Sequence, residues 1–185
     1  YSYLTSGTGE SWVPPVEDVM GNVYLTTNFT GTATFPGQLL QATDQLDAGM
    51  AKLQGGTAVW AHAFFGDGDT QLLDIAVAPD GRVLATGAFD NTLMHDSGVF
   101  GTLMGSSYEV WVGTFDPSDG TPDFLYGFGG PGLDGAYAVA PSADGGIVVA
   151  GGFEQTLQFG ATSLPSAGSF DGFVGKLDAE GNPDW

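Results

Sequence analysis

The chain contains no cysteine and only three basic residues, Lys52, Arg82 and Lys176. The first absence excludes disulfides, thiolate metal sites and thiol catalysis. The second excludes ordinary nucleic-acid binding, in which Lys and Arg displace counterions from phosphates. Together with a net charge of −19 it also argues against docking on anionic membranes. No stretch approaches 18 apolar residues, and no basic segment opens the chain, so neither membrane insertion nor a leader is read here. The only histidines, His62 and His95, are far apart, belong to no HExxH motif and read as structural or surface residues. No serine sits in a G-x-S-x-G turn, and the GK[ST] phosphate loop is absent.

What is present is repetition. Gly21-Asn22-Val23-Tyr24-Leu25-Thr26-Thr27-Asn28-Phe29 returns as Gly81-Arg82-Val83-Leu84-Ala85-Thr86-Gly87-Ala88-Phe89, and again as Gly145-Gly146-Ile147-Val148-Val149-Ala150-Gly151-Gly152-Phe153. A period of about 60 residues indicates tandem structural units. The 185 residues and 42% hydrophobic content suffice for one globular repeat domain, and the 31 glycines recur at matched places rather than forming a linker.

Each unit contains four strand-like segments. In the middle unit these are Leu72 to Ala78, Arg82 to Phe89, Tyr108 to Phe115 and Asp123 to Phe128. Pro79-Asp80-Gly81 and Asp116-Pro117-Ser118-Asp119-Gly120 supply turns, and a looser stretch with Gly98, Gly101 and Gly105 separates the second and third segments. The third unit repeats this order. The first is more degenerate, running Val13 to Val19, Asn22 to Phe29, Asp47 to Leu53 and Thr57 to Phe65. Apolar runs such as Ile147-Val148-Val149 point to strands covered on both faces, and small residues at Ala51, Gly113 and Gly175 to close sheet approach. Asn28, taken to stand where Gly87 and Gly151 stand, suggests a bulge or a left-handed residue there. The predicted class is all-β: a β-propeller of four-stranded antiparallel blades, a single domain over 1–185 with units of about 1–60, 61–124 and 125–185 cut inside the fourth strand.

Phe128-Gly129-Gly130-x-Gly132-x-Asp134, Ala138-Val139-Ala140, Asp144-Gly145 and Gly151 are followed by Phe170-Asp171-Gly172-Phe173-Val174-Gly175-Lys176-Leu177-Asp178 and Gly181-Asn182 before Trp185. This pattern resembles the SBBP-type β-propeller repeat family of secreted and surface proteins of bacteria. The likeness is good in the third unit, fair in the second, which has Glu109 for the Asp and Thr114 for the Lys, and weak in the first. It implies a propeller and an extracellular or cell-surface location, and carries over no catalytic residue.

Trp185 aligns with Trp60 and Phe124 at the start of a fourth strand, and Tyr1-Ser2-Tyr3-Leu4 resembles what should follow. Tyr1, Tyr3, Leu4 and Trp185 are therefore candidate assembly residues. Three blades are too few to close a ring in one chain, so the expectation is either that the N-terminal strand of one copy completes the last blade of another, giving a six-bladed ring from two copies or a filament, or that the chain belongs to a longer one; Tyr1 is no initiator Met, which fits a processed chain or an excerpt.

Carboxylates are the only abundant reactive groups. Asp67 and Asp69, then Asp116, Asp119 and Asp123, then Asp178 and Glu180 are candidate Ca²⁺ ligands, because hard cations gather several oxygens from Asp- and Gly-rich loops. No EF-hand pattern is present, and Asp is also a common turn former. Trp12 and Trp111 do not recur as Trp and are candidate ligand-stacking residues, although core packing is the favoured reading of them. The expected role is a non-catalytic extracellular module, structural or adhesive and self-assembling. The first alternative is a calcium-stabilised binder of carbohydrate or another ligand, such as a surface glycan; the second is a carboxylate-dependent glycoside hydrolase.

Overall fold

The computed structural model describes residues 8–11, 13–43, 45–95, 98–102 and 107–185. Eighteen strands and no helix are found among them, all pairing antiparallel. The first unit contributes β1 (Thr8–Ser11), β2 (Val16–Glu17), β3 (Val23–Thr30), β4 (Thr32–Phe35), β5 (Gln38–Gln41), β6 (Asp47–Gln54) and β7 (Thr57–Phe65). The second contributes β8 (Thr70–Val77), β9 (Val83–Phe89), β10 (Thr92–His95), β11 (Gly98–Thr102), β12 (Glu109–Phe115) and β13 (Pro122–Phe128). The third contributes β14 (Asp134–Pro141), β15 (Ile147–Phe153), β16 (Thr156–Phe159), β17 (Thr162–Pro165) and β18 (Asp171–Leu177).

The middle unit forms a four-stranded meander in the order β13-β12-β9-β8, close to the bounds read from sequence. In the third unit β14, β15 and β18 pair, and the residues after β18 turn back antiparallel beside it. Leu177 bridges to Pro183, the Lys176 amide donates to the Trp185 carbonyl, and the Asp184 amide donates to the Lys176 carbonyl. The first unit departs at its first strand. β1 and β2 both pair with β3, so they are two halves of one strand. The segment between them contains Pro14 and Pro15, which have no amide hydrogen to give to the ladder.

The stretch read as loose between the second and third segments is a β-hairpin in every unit: β4–β5, β10–β11 and β16–β17. Gly105 falls outside the described residues. Each hairpin follows the same pattern, Phe-x-x-Thr at Phe29, Phe89 and Phe153, with a left-handed residue at Gly31, Asn91 or Gln155 (φ 74°, 62° and 60°). The second hairpin pairs with the preceding unit, Met94 opposite Phe65 and His95 opposite Phe64. This joins β10 and β11 to the sheet of the first unit and makes it seven-stranded. The third hairpin does the same more briefly, through a bridge between Gln158 and Gly129. The contact is close: a Cβ on Gly66 would lie 1.6 Å from the Thr92 carbonyl oxygen, and one on Gly130 would lie 1.7 Å from that of Thr156.

The Asn28 expectation needs two corrections. Strand pairing sets Asn28 opposite Ala48, as Ala88 is opposite Val110 and Gly152 opposite Gly172, so Asn28 is equivalent to Ala88 and Gly152; Gly87 and Gly151 match Thr27. None of these residues has a positive φ. The bulge lies on the partner strand, where Leu73 and Tyr137 are the extra residues opposite Gly87 and Gly151. Glycine is required there by proximity, since a Cβ on Gly87 would meet the Gln71 carbonyl oxygen at 1.9 Å and one on Gly151 would meet that of Gly135 at 2.0 Å.

The sheets pack face to face. One buried cluster joins Tyr24, Met50, Trp60 and Phe64 of the first unit to Leu72, Ile75, Phe89, Trp111 and Phe115 of the second. A second joins Leu84, Val110, Val112 and Phe128 to Val139, Val149, Phe153 and Phe173 of the third. A third lies within the first unit, where Phe35 and Leu40 of the β4–β5 hairpin cover Phe29 and Ala51.

Candidate functional site

The junction between units is built the same way twice. The amide of Thr70 donates to the Leu46 carbonyl (2.7 Å), and the amide of Asp134 donates to the Tyr108 carbonyl (2.9 Å). At the other end of each sheet the aromatic that opens the fourth strand seats on a glycine of the next unit. A Cβ on Gly120 would be 2.8 Å from Trp60 ring atoms, and one on Gly181 would be 2.6 Å from the Phe124 ring. Both glycines have positive φ, 76° and 86°, so they are suited to the turn and to the close contact at once. Trp60 also donates its indole N–H to the Pro117 carbonyl (3.2 Å), beside the Lys52 ammonium on the same oxygen (2.7 Å).

Beyond the third unit this interlock has no continuation in the described residues. Met50 and Val112 are fully buried, whereas Val174 at the equivalent position is 58% exposed. Ala138, Ala140, Val148 and Ala150 share its partial or full exposure. Trp185 is 60% exposed against 6% for Trp60. The opposite end is also open: Val23 and Leu25 are half-buried where Val83 and Ala85 are fully buried, and Leu39 and Val59 are exposed. Of the candidate assembly residues, Trp185 lies on an open end, while Tyr1, Tyr3 and Leu4 fall outside the described residues.

The candidate calcium ligands are dispersed. Among the described residues no group of three or more His, Asp or Glu side chains is placed to hold a metal ion. The hairpin carboxylates close their own turns instead. Asp116 accepts from the Ser118 amide and hydroxyl (2.7 and 2.6 Å), Asp119 from the Thr121 amide and hydroxyl (3.0 and 2.7 Å), and Asp178 from the Glu180 and Asn182 amides (3.0 and 2.8 Å). These bonds hold Asp119 and Asp178 below the ordinary carboxylate range, through Thr121 and Asn182 respectively. Asp123 reaches only Thr114 (3.4 Å), and Glu180 is exposed with its amide given to Asp178. Asp67 accepts from the Thr92 hydroxyl (3.0 Å), while Asp69 accepts from the Leu46 amide (3.2 Å) and the Tyr108 hydroxyl. The two therefore face different partners.

Trp111 is a core residue, the favoured reading of it, and not a stacking platform. It is fully buried, stacks on Phe64 with ring centroids 5.2 Å apart, and donates its indole N–H to the Gln71 carbonyl (2.8 Å). Trp12 falls outside the described residues. The histidines, distant in sequence, meet in space: the His62 and His95 rings lie 4.8 Å apart between Trp60 and Phe64, with His62 Nε2 2.7 Å from the Asp119 carbonyl oxygen.

Two groupings were invisible in the sequence. The first is a carboxylate pair at the junction of the second and third units. Glu109 and Asp134 are both buried, and each has an oxygen 2.8 Å from where a Gly129 Cβ would lie. Burial, reinforced by Asp134, pushes Glu109 up to about 7. Burial raises Asp134 to about 6 against the opposing amide bonds from Gly130 and Glu154. Glu109 and Asp134 are 6% and 3% exposed, so the packing at the junction encloses both. The second grouping is a cleft of about 240 Å³ at the same junction, lined by Leu73, Tyr108, Leu133, Asp134, Tyr137 and Phe170, with Gln71, Ala88 and Gly135 completing its wall. Tyr137 and Phe170 are 55% and 48% exposed, and burial with the bond to Asp69 pushes the Tyr108 hydroxyl up to about 12. The only signal that could have found this cleft is that Tyr137 stands where the second unit has Leu73.

No protein-family model matches the chain and no curated protein matches it.

Proposed function

We propose that the chain is a non-catalytic module of the β-propeller type, of the SBBP kind, with a structural or adhesive role outside the cell, and that it associates with a second copy through its open end faces. The observation that carries this reading is the exposure of Val174, 58% where Met50 and Val112 are fully buried. Burying a valine stabilises by about 1.5–3 kcal/mol, and the bare face holds several further apolar residues beside it. The complementary end offers Val23, Leu25, Leu39 and Val59. A unit placed on the third sheet as the third is placed on the second would bring a turn glycine over Trp185, repeating the Trp60–Gly120 and Phe124–Gly181 contacts. Closed repetition of this contact gives a ring and open repetition gives a filament.

Light scattering and sedimentation over a concentration series test this. Association that grows with concentration and is abolished by Val174→Lys, with the melting temperature matching that of the unsubstituted chain at concentrations where the latter is monomeric, is expected. A chain that stays monomeric at every concentration removes the self-association.

A further inference from the structure

We propose that the cleft between the second and third units is a binding site for a cationic group, of the quaternary or methylated ammonium class. The cleft presents three aromatic side chains, Tyr108, Tyr137 and Phe170, and two of them are substantially exposed. Exposed aromatics that converge on one concavity, as these do, point to a ligand. Their ring faces are electronegative and attract a desolvated cation.

Charge selects the ligand. Asp134 lines the cleft, and Asp69 accepts from the hydroxyl of Tyr108, another lining residue. Asp74, next to Leu73, takes the Val139 amide (2.8 Å). No basic side chain lines the cleft, and all three in the chain are engaged elsewhere. Lys52 donates to Pro117, Arg82 pairs with Asp80 and Gly145, and Lys176 pairs with Asp144 and Asp184. An anionic sugar or phosphate would find no counter-charge there. The one carboxylate of the wall, Asp134, is already bonded to the Gly130 and Glu154 amides, so it is poorly placed to exchange hydrogen bonds with the ring hydroxyls of a neutral sugar. A trimethylammonium group makes no such demand: it needs aromatic faces, a concavity of its size and a negative potential.

The probe is choline, titrated into the whole chain and followed by calorimetry and by aromatic side-chain resonances. Its neutral carbon isostere, 3,3-dimethyl-1-butanol, and a neutral oligosaccharide are the comparison arms. Choline is expected to bind saturably, about tenfold tighter than the isostere, and to weaken with added salt. Tyr137→Leu installs the residue that the second unit has at this place, so the fold is retained; it is expected to weaken choline about tenfold with an unchanged melting temperature. Equal binding of choline and the isostere, saturation by the oligosaccharide alone, or a Tyr137→Leu variant that binds choline normally would each overturn the proposal.

Discussion

Asn28 and Leu72, 44 positions apart, exchange two hydrogen bonds: the Leu72 amide donates to Asn28 Oδ1 (2.7 Å), and Asn28 Nδ2 donates to the Leu72 carbonyl (2.9 Å). A side-chain amide thus imitates a strand neighbour at the bulge in β8 and ties the first unit to the second. The equivalent residues are Ala88 and Gly152, so the repeat itself suggests that a small residue should be harmless here. The structure predicts the opposite. Asn28→Ala leaves a buried amide and carbonyl without these partners and should cost about 2–4 kcal/mol, read from denaturant unfolding. A loss under 1 kcal/mol would mean that the Leu72 groups find other partners easily.

Trp60 over Gly120 gives a second test. Gly120→Ala adds both left-handed strain and a methyl group within 2.8 Å of the indole, and should destabilise by about 2–4 kcal/mol. Gly55 also has a positive φ (58°), but nothing lies within 4 Å of its Cβ position, so Gly55→Ala should cost only about 1 kcal/mol. Equal losses in the two variants would show that the backbone conformation, and not the contact between units, sets the effect.

Glu109 and Asp134 make stability depend on pH in an unusual direction. Their folded values of about 7 and about 6 lie above the ordinary 4.5 and 3.8, so the folded state binds more protons than the unfolded one between about pH 4 and pH 7. Stability therefore falls as pH rises through that window and levels off above it. Below it the turn carboxylates Asp80, Asp119 and Asp178, held under their ordinary value, lose their bonds on protonation. The melting temperature should peak on the acid side of neutrality, near pH 4 to 5. Glu109→Gln should flatten the decline and raise the melting temperature at pH 8; an unchanged slope would separate this pair from the effect.

Addition of a chelator should leave the melting temperature where it was. The carboxylates of Asp116, Asp119 and Asp178 already hold turn amides, and Asp67 and Asp69 serve different partners. A fall on chelation, reversed by Ca²⁺, would contradict this account of the acidic loops.

The four-stranded meander of the middle unit was readable because its cues are local. Turn residues at Pro79-Asp80-Gly81 and Asp116 to Gly120 bound apolar runs of strand length. The hairpins were not readable, although Phe-x-x-Thr recurs, because their strands are four or five residues long and find partners partly on the preceding unit. The bulge was half-read: Gly87 marks it, but the extra residue is Leu73 on the neighbouring strand. Of the candidate site residues, the acidic loops were legible as turns and core packing was the favoured reading of Trp111, but its partner Phe64, from another unit, was not legible.

Sequence alone settled the repeat, its period, the antiparallel all-β class and the absence of any thiol or strongly basic surface. These follow from residue types and spacing, which act over a few neighbours. Tertiary structure decided which faces are covered, which glycines sit under a neighbour's backbone, how His62 meets His95, and how Glu109 comes to share a buried space with Asp134. Each of those joins residues from different units. Their proximity arises only when sheets stack and hairpins cross to the next sheet, and burial, which sets both the exposure of Val174 and the proton affinity of Glu109, is a property of that stack rather than of any single strand.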